Sequence, residues 1–231
     1  MSIPRVVSAP EWLAARKQLQ LAEEQAVALL AEVSATRREL PATKVEKDYV
    51  FEGPAGTVSL LDMFEGRRQL LVQHFMFDPD WDEGCPLCSH QADSVPHLAH
   101  LHARDTTFAA VSRAPIGKIE PFRQRMGWTF PWYSSFGSEF NYDYHVTLDE
   151  AVAPIEYDYR PAQELIDRGQ PWFAQPGEKG GVSVFYRDGD TVLHTHTTYG
   201  NAIDLLLASE MYLDLAPLGR NEEMPKHHDR Y

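Results

Sequence analysis

The amino-acid sequence predicts one α/β domain, a central mixed β-sheet flanked by helices, with a long helical extension on its N-terminal side. Three observations support this prediction. Two apolar runs of strand length, residues 69–77 and 106–112, are joined by a segment with helical spacing, which predicts a βαβ unit. A β-hairpin pattern follows at residues 182–196, and a helical pattern lies at residues 202–213. Helical periodicity also extends over residues 9–40, before the first strand.

The composition favours a single core and excludes some classes of partner. The chain has 231 residues, of which 43% are hydrophobic and 11% aromatic. We expect residues 46–216 to form the domain, residues 1–45 the helical extension, and residues 217–231 a tail. A net charge of −13 disfavours nucleic acid and anionic membranes as partners, because both bind basic patches. Residues 1–10 have no apolar core of a signal peptide, so we expect a cytoplasmic protein.

The extension has the sequence of an amphipathic helix. Ser8 and Glu11 form a capping box at its start, and Pro41 ends the periodic run. The apolar positions with helical spacing are Trp12, Leu19, Ala22, Ala26, Leu29 and Val33. This stripe either packs on its own domain or contacts a second copy in a homodimer, and the sequence leaves both arrangements open.

The two cysteines form a CxxC motif directly after the first buried strand. A helix is predicted from Pro86 to about Ala103, which places Cys85 at a helix N-terminus. Backbone N–H groups and the helix dipole stabilise a thiolate there. We therefore predict Cys85 as the nucleophile and Cys88, one turn later, as the thiol that resolves a mixed disulfide.

The order of strand, loop, CxxC and helix is that of a thioredoxin-type site. A short hairpin is expected at residues 49–60, before the first long strand, and a helix at residues 116–126, after the second. Together with the later antiparallel hairpin and last helix, these elements reproduce the thioredoxin topology. The sequence therefore predicts a thioredoxin-like fold.

Four further residues are candidates for the site. Arg113 follows the second buried strand and is a candidate catalytic residue that lowers the pKa of a thiolate, although a surface ion pair is the alternative. Trp128 and Trp132 belong to an aromatic segment that either lines a substrate pocket or fills a core or a subunit contact. Thioredoxins have a proline just before the strand that faces the dithiol, and the corresponding stretch here, Gly180-Gly181-Val182, has none; we include Val182 as a candidate substrate contact.

Zinc binding is the alternative for the same motif. Cys85, Cys88 and His90 offer thiolate and imidazole ligands, with His74 or His194 as a fourth. The chain has only one CxxC pair, whereas structural zinc sites use two, so we expect no cofactor in the functional state.

Several motifs resemble the DUF899 family of bacterial thioredoxin-like proteins. They are Glu11-Trp12-Leu13-Ala14-Ala15-Arg16-Lys17, His74-Phe75-Met76-Phe77, Gly84-Cys85-Pro86-Leu87-Cys88-Ser89, Val111-Ser112-Arg113-Ala114-Pro115, Arg125-Met126-Gly127-Trp128, Pro131-Trp132-Tyr133-Ser134-Ser135 and Phe140-Asn141-Tyr142-Asp143. The resemblance implies a thioredoxin-like fold related to the peroxiredoxins and leaves the substrate open. This chain departs from the family pattern at His90 and His196, and both departures add an imidazole.

Three classes of function follow from these residues. We expect a thiol-disulfide oxidoreductase that acts on a protein or small-molecule thiol or disulfide. A zinc-binding protein and a non-catalytic ligand-binding protein are the alternatives. Peroxidase activity has no support from the sequence, since no hydroxyl residue lies between Pro79 and Cys85 where peroxiredoxins have one.

Overall fold

The computed structural model describes residues 4–220 and 223–231. Residues 1–3 of the predicted extension and 221–222 of the predicted tail lie outside the described residues. Among the described residues, no helix combines the length and the apolar character needed to span a bilayer.

The leading helix α1 (Ala9–Arg38) begins at the predicted capping box. The Glu11 carboxylate accepts a hydrogen bond from the Ser8 N–H at 3.0 Å, and the Ser8 hydroxyl oxygen accepts one from the Glu11 N–H at 3.5 Å. None of the thirty residues of α1 is buried. The arrangement in which this helix packs into its own domain is therefore not the one observed.

The other elements follow in chain order. The helices are α2 (Pro86–Asp93), α3 (Leu98–His102), α4 (Ile116–Arg125), α5 (Phe140–Asp143), α6 (Ala162–Asp167) and α7 (Ala208–Leu213). The strands are β1 (Thr43–Lys44), β2 (Val50–Gly53), β3 (Gly56–Ser59), β4 (Gln69–His74), β5 (Thr106–Ser112), β6 (Trp132–Ser134), β7 (Thr147–Leu148), β8 (Glu156–Tyr157), β9 (Arg160–Pro161), β10 (Gly177–Glu178), β11 (Gly181–Asp188) and β12 (Thr191–Tyr199). Short 3₁₀ helices lie at Asp62–Phe64, Pro171–Ala174, Gly200–Leu206 and His228–Arg230.

Eight strands form one mixed sheet in the order β1-β12-β11-β4-β5-β6-β2-β3. Strands β4, β5 and β6 are parallel, and β11 runs antiparallel to β4 with Gly181 opposite His74. The predicted βαβ unit and both predicted hairpins are confirmed. The chain thus has the predicted thioredoxin-like architecture, a mixed sheet flanked by helices with a helical extension before it.

Three predicted elements differ from the structure. The helix expected from Pro86 to Ala103 is interrupted between α2 and α3, where Pro96 lacks the N–H that a continuous helix would use. The helix expected at residues 202–213 is a 3₁₀ helix followed by α7. The first long strand ends at His74, before the end of its apolar run, although the Phe75 N–H still donates to the Val111 carbonyl oxygen at 2.9 Å.

The core has two clusters, one on each face of the sheet. Strand β5 is buried throughout, and its alternate side chains enter different clusters, Ala109 and Val111 in one, Phe108 and Ala110 in the other. The second cluster also contains Cys88. The dithiol helix is therefore anchored to the hydrophobic core by its second cysteine.

Gly84, immediately before the dithiol, lies where there is no room for a side chain. A Cβ at this position would come within 2.6 Å of Phe75 Cε1 and 2.9 Å of Phe122 Cε1. Both rings belong to the second core cluster, so they have little space to move. The close approach of the loop to these rings requires glycine.

We expect the G84A substitution to lower the free energy of unfolding by about 1–3 kcal/mol, because it overpacks the core beneath the dithiol. Urea denaturation measures the change. The control is G117A in α4, where a Cβ would meet no atom within 4 Å. Alanine there should leave stability unchanged or raise it by up to about 1 kcal/mol, since alanine favours the helix. Equal stability of G84A and the native chain would contradict the packing argument.

Candidate functional site

The loop from β4 to α2 returns to the backbone of Met76 and fixes both cysteines there. The Cys85 N–H donates to the Met76 carbonyl oxygen at 3.0 Å, and the Met76 N–H donates to Cys88 Sγ at 3.3 Å. Cys85 is the N-cap residue of α2, and Pro86 occupies the first helical position, as predicted. Cys85 is half-buried and Cys88 is buried, and both are free thiols.

The pKa values of the two thiols are displaced in opposite directions. The Cys88 thiol donates to Cys85, and together with the N–H groups of Cys88 and Leu87 it lowers the pKa of Cys85 to about 7, against the opposing effect of burial. The hydrogen bond to Cys85 and burial raise the pKa of Cys88 well above its ordinary value. Near neutral pH a substantial fraction of Cys85 is thus thiolate, whereas Cys88 retains its proton.

A buried carboxylate that the sequence analysis did not select lies near the dithiol. Glu178, in β10, is 4% exposed, and its charge contributes to the raised pKa of Cys88. The Thr147 hydroxyl donates to its oxygens at 3.0 and 3.1 Å. Burial raises the pKa of Glu178 to about 7, although the charge of Arg113 opposes this shift. The sequence signal that could have identified Glu178 is its position in the segment Gly177-Glu178-Lys179-Gly180-Gly181, where a charged pair lies between glycines.

Arg113 contacts this carboxylate. Its Nη1 donates to Glu178 Oε1 at 2.8 Å and lies 3.9 Å from Asp78 Oδ2, and its guanidinium lies 5.3 Å from the centre of the Tyr142 ring. Arg113 is absent from the groups that shift the pKa of Cys85. The structure therefore connects Arg113 with the dithiol through Glu178, whereas the sequence suggested a direct effect on the thiolate.

The two tryptophans proposed as substrate contacts are packed in the interior. Trp132 is 1% exposed and its indole N–H donates to the Ser112 hydroxyl at 3.0 Å. Trp128 is 8% exposed and donates to Asp93 Oδ1 at 2.8 Å. Neither indole presents a face to a substrate in this conformation, because both fill the second core cluster. The interpretation of the aromatic segment as core is the one that the structure favours.

Val182 lies at an apolar cavity beside the dithiol helix. The cavity has a volume of about 490 Å³. Its apolar lining includes Leu71, Val95, Leu101, Phe108, Val182 and Leu205. Gln73 also lines it and donates through Nε2 to the carbonyl oxygen of Cys88 at 3.0 Å. The Gln73 side chain thus links the cavity to the backbone of Cys88. Residues 180–182 are Gly-Gly-Val, so the proline of thioredoxins has no counterpart in this stretch.

The histidines proposed as zinc ligands have other partners. His90 Nε2 is hydrogen-bonded to the Ser209 hydroxyl and lies 3.7 Å from Glu210 Oε1, so the imidazole faces α7. His74 is buried with Nε2 at 2.6 Å from Ser183 Oγ. In the part of the chain that the structure describes, no three His, Cys, Asp or Glu side chains are placed to share one metal ion. The zinc ligand set suggested by the sequence is thus not assembled around Cys85 and Cys88.

The C-terminal segment contacts the loop that carries the dithiol. His227 is 2% exposed, and its Nε2 hydrogen-bonds the Gly84 carbonyl oxygen at 2.8 Å. Glu83 is paired with Arg125 and Arg230, and Arg125 also binds Asp229. The expected tail therefore has a structural role in this part of the chain, as a clamp on the residues that precede Cys85.

We predict that the pKa of Cys85 depends on the hydrogen bond from Cys88. In the C88A variant the donor is lost, and the thiolate fraction at pH 7 should fall about tenfold. The C88S variant keeps a hydroxyl donor and should remain closer to the native chain. The pH dependence of Cys85 alkylation by iodoacetamide measures both. Identical pH profiles for C88A and the native chain would rule out this origin of the low pKa.

We predict that Glu178 makes the protein less stable as the pH rises. The folded pKa of about 7 lies above the ordinary value of 4.5, so the neutral form is favoured by folding. The stabilisation is complete below about pH 4.5 and is lost as the pH rises through 7. Between pH 4.5 and 7.5 the free energy of unfolding of the native chain, measured by urea denaturation, should fall by about 1–3 kcal/mol because of Glu178. In E178Q this fall should be absent. The control is E150Q on the exposed surface, whose pH profile should match the native one. A native profile in E178Q would refute the assignment.

Several solved structures of thiol enzymes are similar in shape at low sequence identity. A PrxQ variant from Xylella fastidiosa matches with 12% identity and a TM-score of 0.45, over 74% of this chain and 95% of that chain. The peroxidoxin BcpB from Mycobacterium tuberculosis matches with 14% identity and a TM-score of 0.42, over 74% and 95%. A secreted disulfide oxidoreductase of Mycobacterium tuberculosis, homologous to DsbE of E. coli, matches with 14% identity and a TM-score of 0.36, over 69% and 91%. Values this low assign no chemistry to this chain.

The family comparison covers the whole sequence. No curated protein matches the chain. The profile of DUF899, described as a bacterial protein of unknown function, matches residues 1–231. This range includes the leading helix, the dithiol and the C-terminal segment. The chain therefore belongs to the DUF899 family.

Proposed function

We propose that this protein is a thiol-disulfide oxidoreductase in which Cys85 is the nucleophile. The observation that supports this most directly is the placement of half-buried Cys85 at the N-cap of α2 with buried Cys88 one turn later, which is accompanied by a pKa lowered to about 7 at Cys85 and raised at Cys88. An accessible thiolate with a protonated thiol one helical turn later is what dithiol exchange requires.

The proposed reaction transfers two electrons from the dithiol to a disulfide substrate. The Cys85 thiolate attacks one substrate sulfur, the substrate S–S bond breaks, and the departing thiolate takes up a proton. Cys88 then loses its proton and attacks the Cys85 sulfur of the mixed disulfide. This step releases the second substrate thiol and leaves a Cys85–Cys88 disulfide. A reductant of the thiol class returns two electrons and two protons to restore both thiols.

Glu178 acts on the second step in this proposal. Its ionised carboxylate raises the pKa of Cys88, so neutralising the carboxyl favours loss of the Cys88 proton. Arg113 and Thr147 hold the carboxyl in place. Arg113 is thus a positioning residue that acts through Glu178, and it need not touch the substrate.

The substrate class follows from the thiol chemistry. We infer a protein or small-molecule disulfide, with Val182 and the neighbouring cavity as its apolar contact. The expected compartment is the cytoplasm, where a dithiol is kept reduced unless it is in use. Zinc remains the alternative ligand of the cysteines, and metal analysis of the purified protein tests it.

A second candidate function is non-catalytic ligand binding. The apolar cavity of about 490 Å³ favours it, since its size suits a small apolar molecule. This function would survive substitution of both cysteines, which separates it from the oxidoreductase.

The deciding measurement is the midpoint potential of the Cys85–Cys88 pair. The protein is equilibrated in a dithiothreitol redox series with metal chelated, and free thiols are then trapped and counted by mass spectrometry. We expect a reversible two-electron transition between about −120 and −270 mV, the range of dedicated dithiol oxidoreductases. The C85S and C88S variants should each show no intramolecular transition. If the native chain forms no intramolecular disulfide, the proposal fails.

A further inference from the structure

Helix α1 has an apolar seam that its own chain leaves in solvent. Within the described residues, no side chain of this helix is buried, although apolar and small residues recur at alternating spacings of three and four. With Trp12 placed at a heptad a position, every a position and three of the four d positions are apolar. The a positions hold Trp12, Leu19, Ala26 and Val33, and the d positions hold Ala15, Ala22, Leu29 and Thr36.

The exposure of this seam is large for a folded protein. Trp12 is 59% exposed, Leu19 54% and Leu29 60%. A helix of thirty residues is about 45 Å long, and most of the stability of such a helix comes from packing its apolar face. A seam with a period of 3.5 residues is buried by another helix of the same period. The heptad pattern therefore selects a helix, rather than a flat surface, as the partner.

The charges at the g and e positions, which flank the seam, favour a second copy of α1 in parallel orientation as the partner. In a parallel pair each g residue lies beside the e residue five positions later on the other helix. Glu11 at g then faces Arg16, and Glu32 at g faces Arg37, two attractive pairs on each side of the two-fold axis. An antiparallel pair places g beside g, and the g positions of this helix hold only acids and amides.

Arg16 supplies an independent observation. Its Nη2 binds Glu23 of the same helix at 2.8 Å, while its Nη1 is buried and has no hydrogen-bond partner in the described residues. The Arg16 side chain as a whole is 41% exposed, so a change of rotamer would present this nitrogen to a carboxylate on a neighbouring helix, and a guanidinium binds carboxylates through two nitrogens.

We propose that the protein is a homodimer held by a parallel, in-register, two-stranded coiled coil of α1 from two copies. The pairing buries the a and d positions of both helices and brings opposite charges together at the g and e positions. It is independent of the redox function proposed above, since it involves neither cysteine. The two alanines at Ala22 and Ala26 lie at the middle of the seam and let the helices approach closely.

The test is site-directed cross-linking in the full chain. The C85S and C88S substitutions remove the native thiols, and A22C then introduces one thiol at a d position. In a parallel, in-register pair the two Cys side chains meet on the axis, and mild oxidation should give a covalent dimer. The control is E24C at the outward f position, which should remain uncross-linked. Circular dichroism confirms that both variants are folded.

The strength of the dimer provides a second readout. L29E places charge in the seam at a side chain that is exposed in the single chain, so the fold should persist. Its dimer dissociation constant, from analytical ultracentrifugation, should rise about tenfold or more. E32K should weaken the dimer, and E32K combined with R37E should restore it.

Three results would overturn the coiled coil. One is a native chain that sediments as a monomer at micromolar concentration. Another is cross-linking through E24C as readily as through A22C, which would place a different face of α1 in the interface. The third is covalent dimer in a mixture of A22C and A26C chains but not in A22C alone, which would indicate an antiparallel pair.

Discussion

The backbone of Met76 holds both cysteines, and the rest of the site is arranged around that contact. The Met76 carbonyl oxygen accepts a hydrogen bond from the Cys85 N–H, and the Met76 N–H donates to Cys88 Sγ. Met76, which follows the end of β4, thus positions both ends of the CxxC motif. The return of the chain to this point brings Gly84 against the rings of Phe75 and Phe122. A residue with a side chain at position 84 would push the loop, and with it the thiols, away from the sheet.

The electrostatics of the dithiol depend on a division between exposed and buried groups. Cys85 is partly open and receives hydrogen bonds from its own helix, while Cys88 is in the core and shares its surroundings with Glu178. A buried carboxyl and a buried thiol near each other favour the neutral forms of both. The positive charge of Arg113 lies beside Glu178 and lowers the free-energy cost of ionising the buried carboxyl. The reactive thiol is thus distinguished from its partner by environment rather than by residue type.

The sequence was informative where the determining signal was local. The long helix α1, the parallel strands β4 and β5, and the placement of Cys85 before Pro86 all follow from periodicity and spacing over a few residues. The break after α2 was missed because the apolar spacing continues through Pro96. The burial of Trp132 had no local signal, since a pocket wall and a core require the same side chain. Glu178 was missed because its hydrogen-bond partners, Arg113 and Thr147, lie far away in the chain, and the glycines around it were only a weak local signal.

The clamp by His227 has a consequence for the order in which the protein is made. Residues 69–93, which include β4 and α2, leave the ribosome early, but the group that binds the Gly84 carbonyl comes 143 residues later. Synthesis proceeds at about 5–20 residues per second, so the nascent chain contains both cysteines for several seconds or longer before the clamp and Glu178 exist. During that interval Cys88 lacks the charge of Glu178 that contributes to its raised pKa, and the Gly84 carbonyl oxygen lacks its hydrogen bond to His227. The native reactivity of the dithiol is consequently a property of the finished chain.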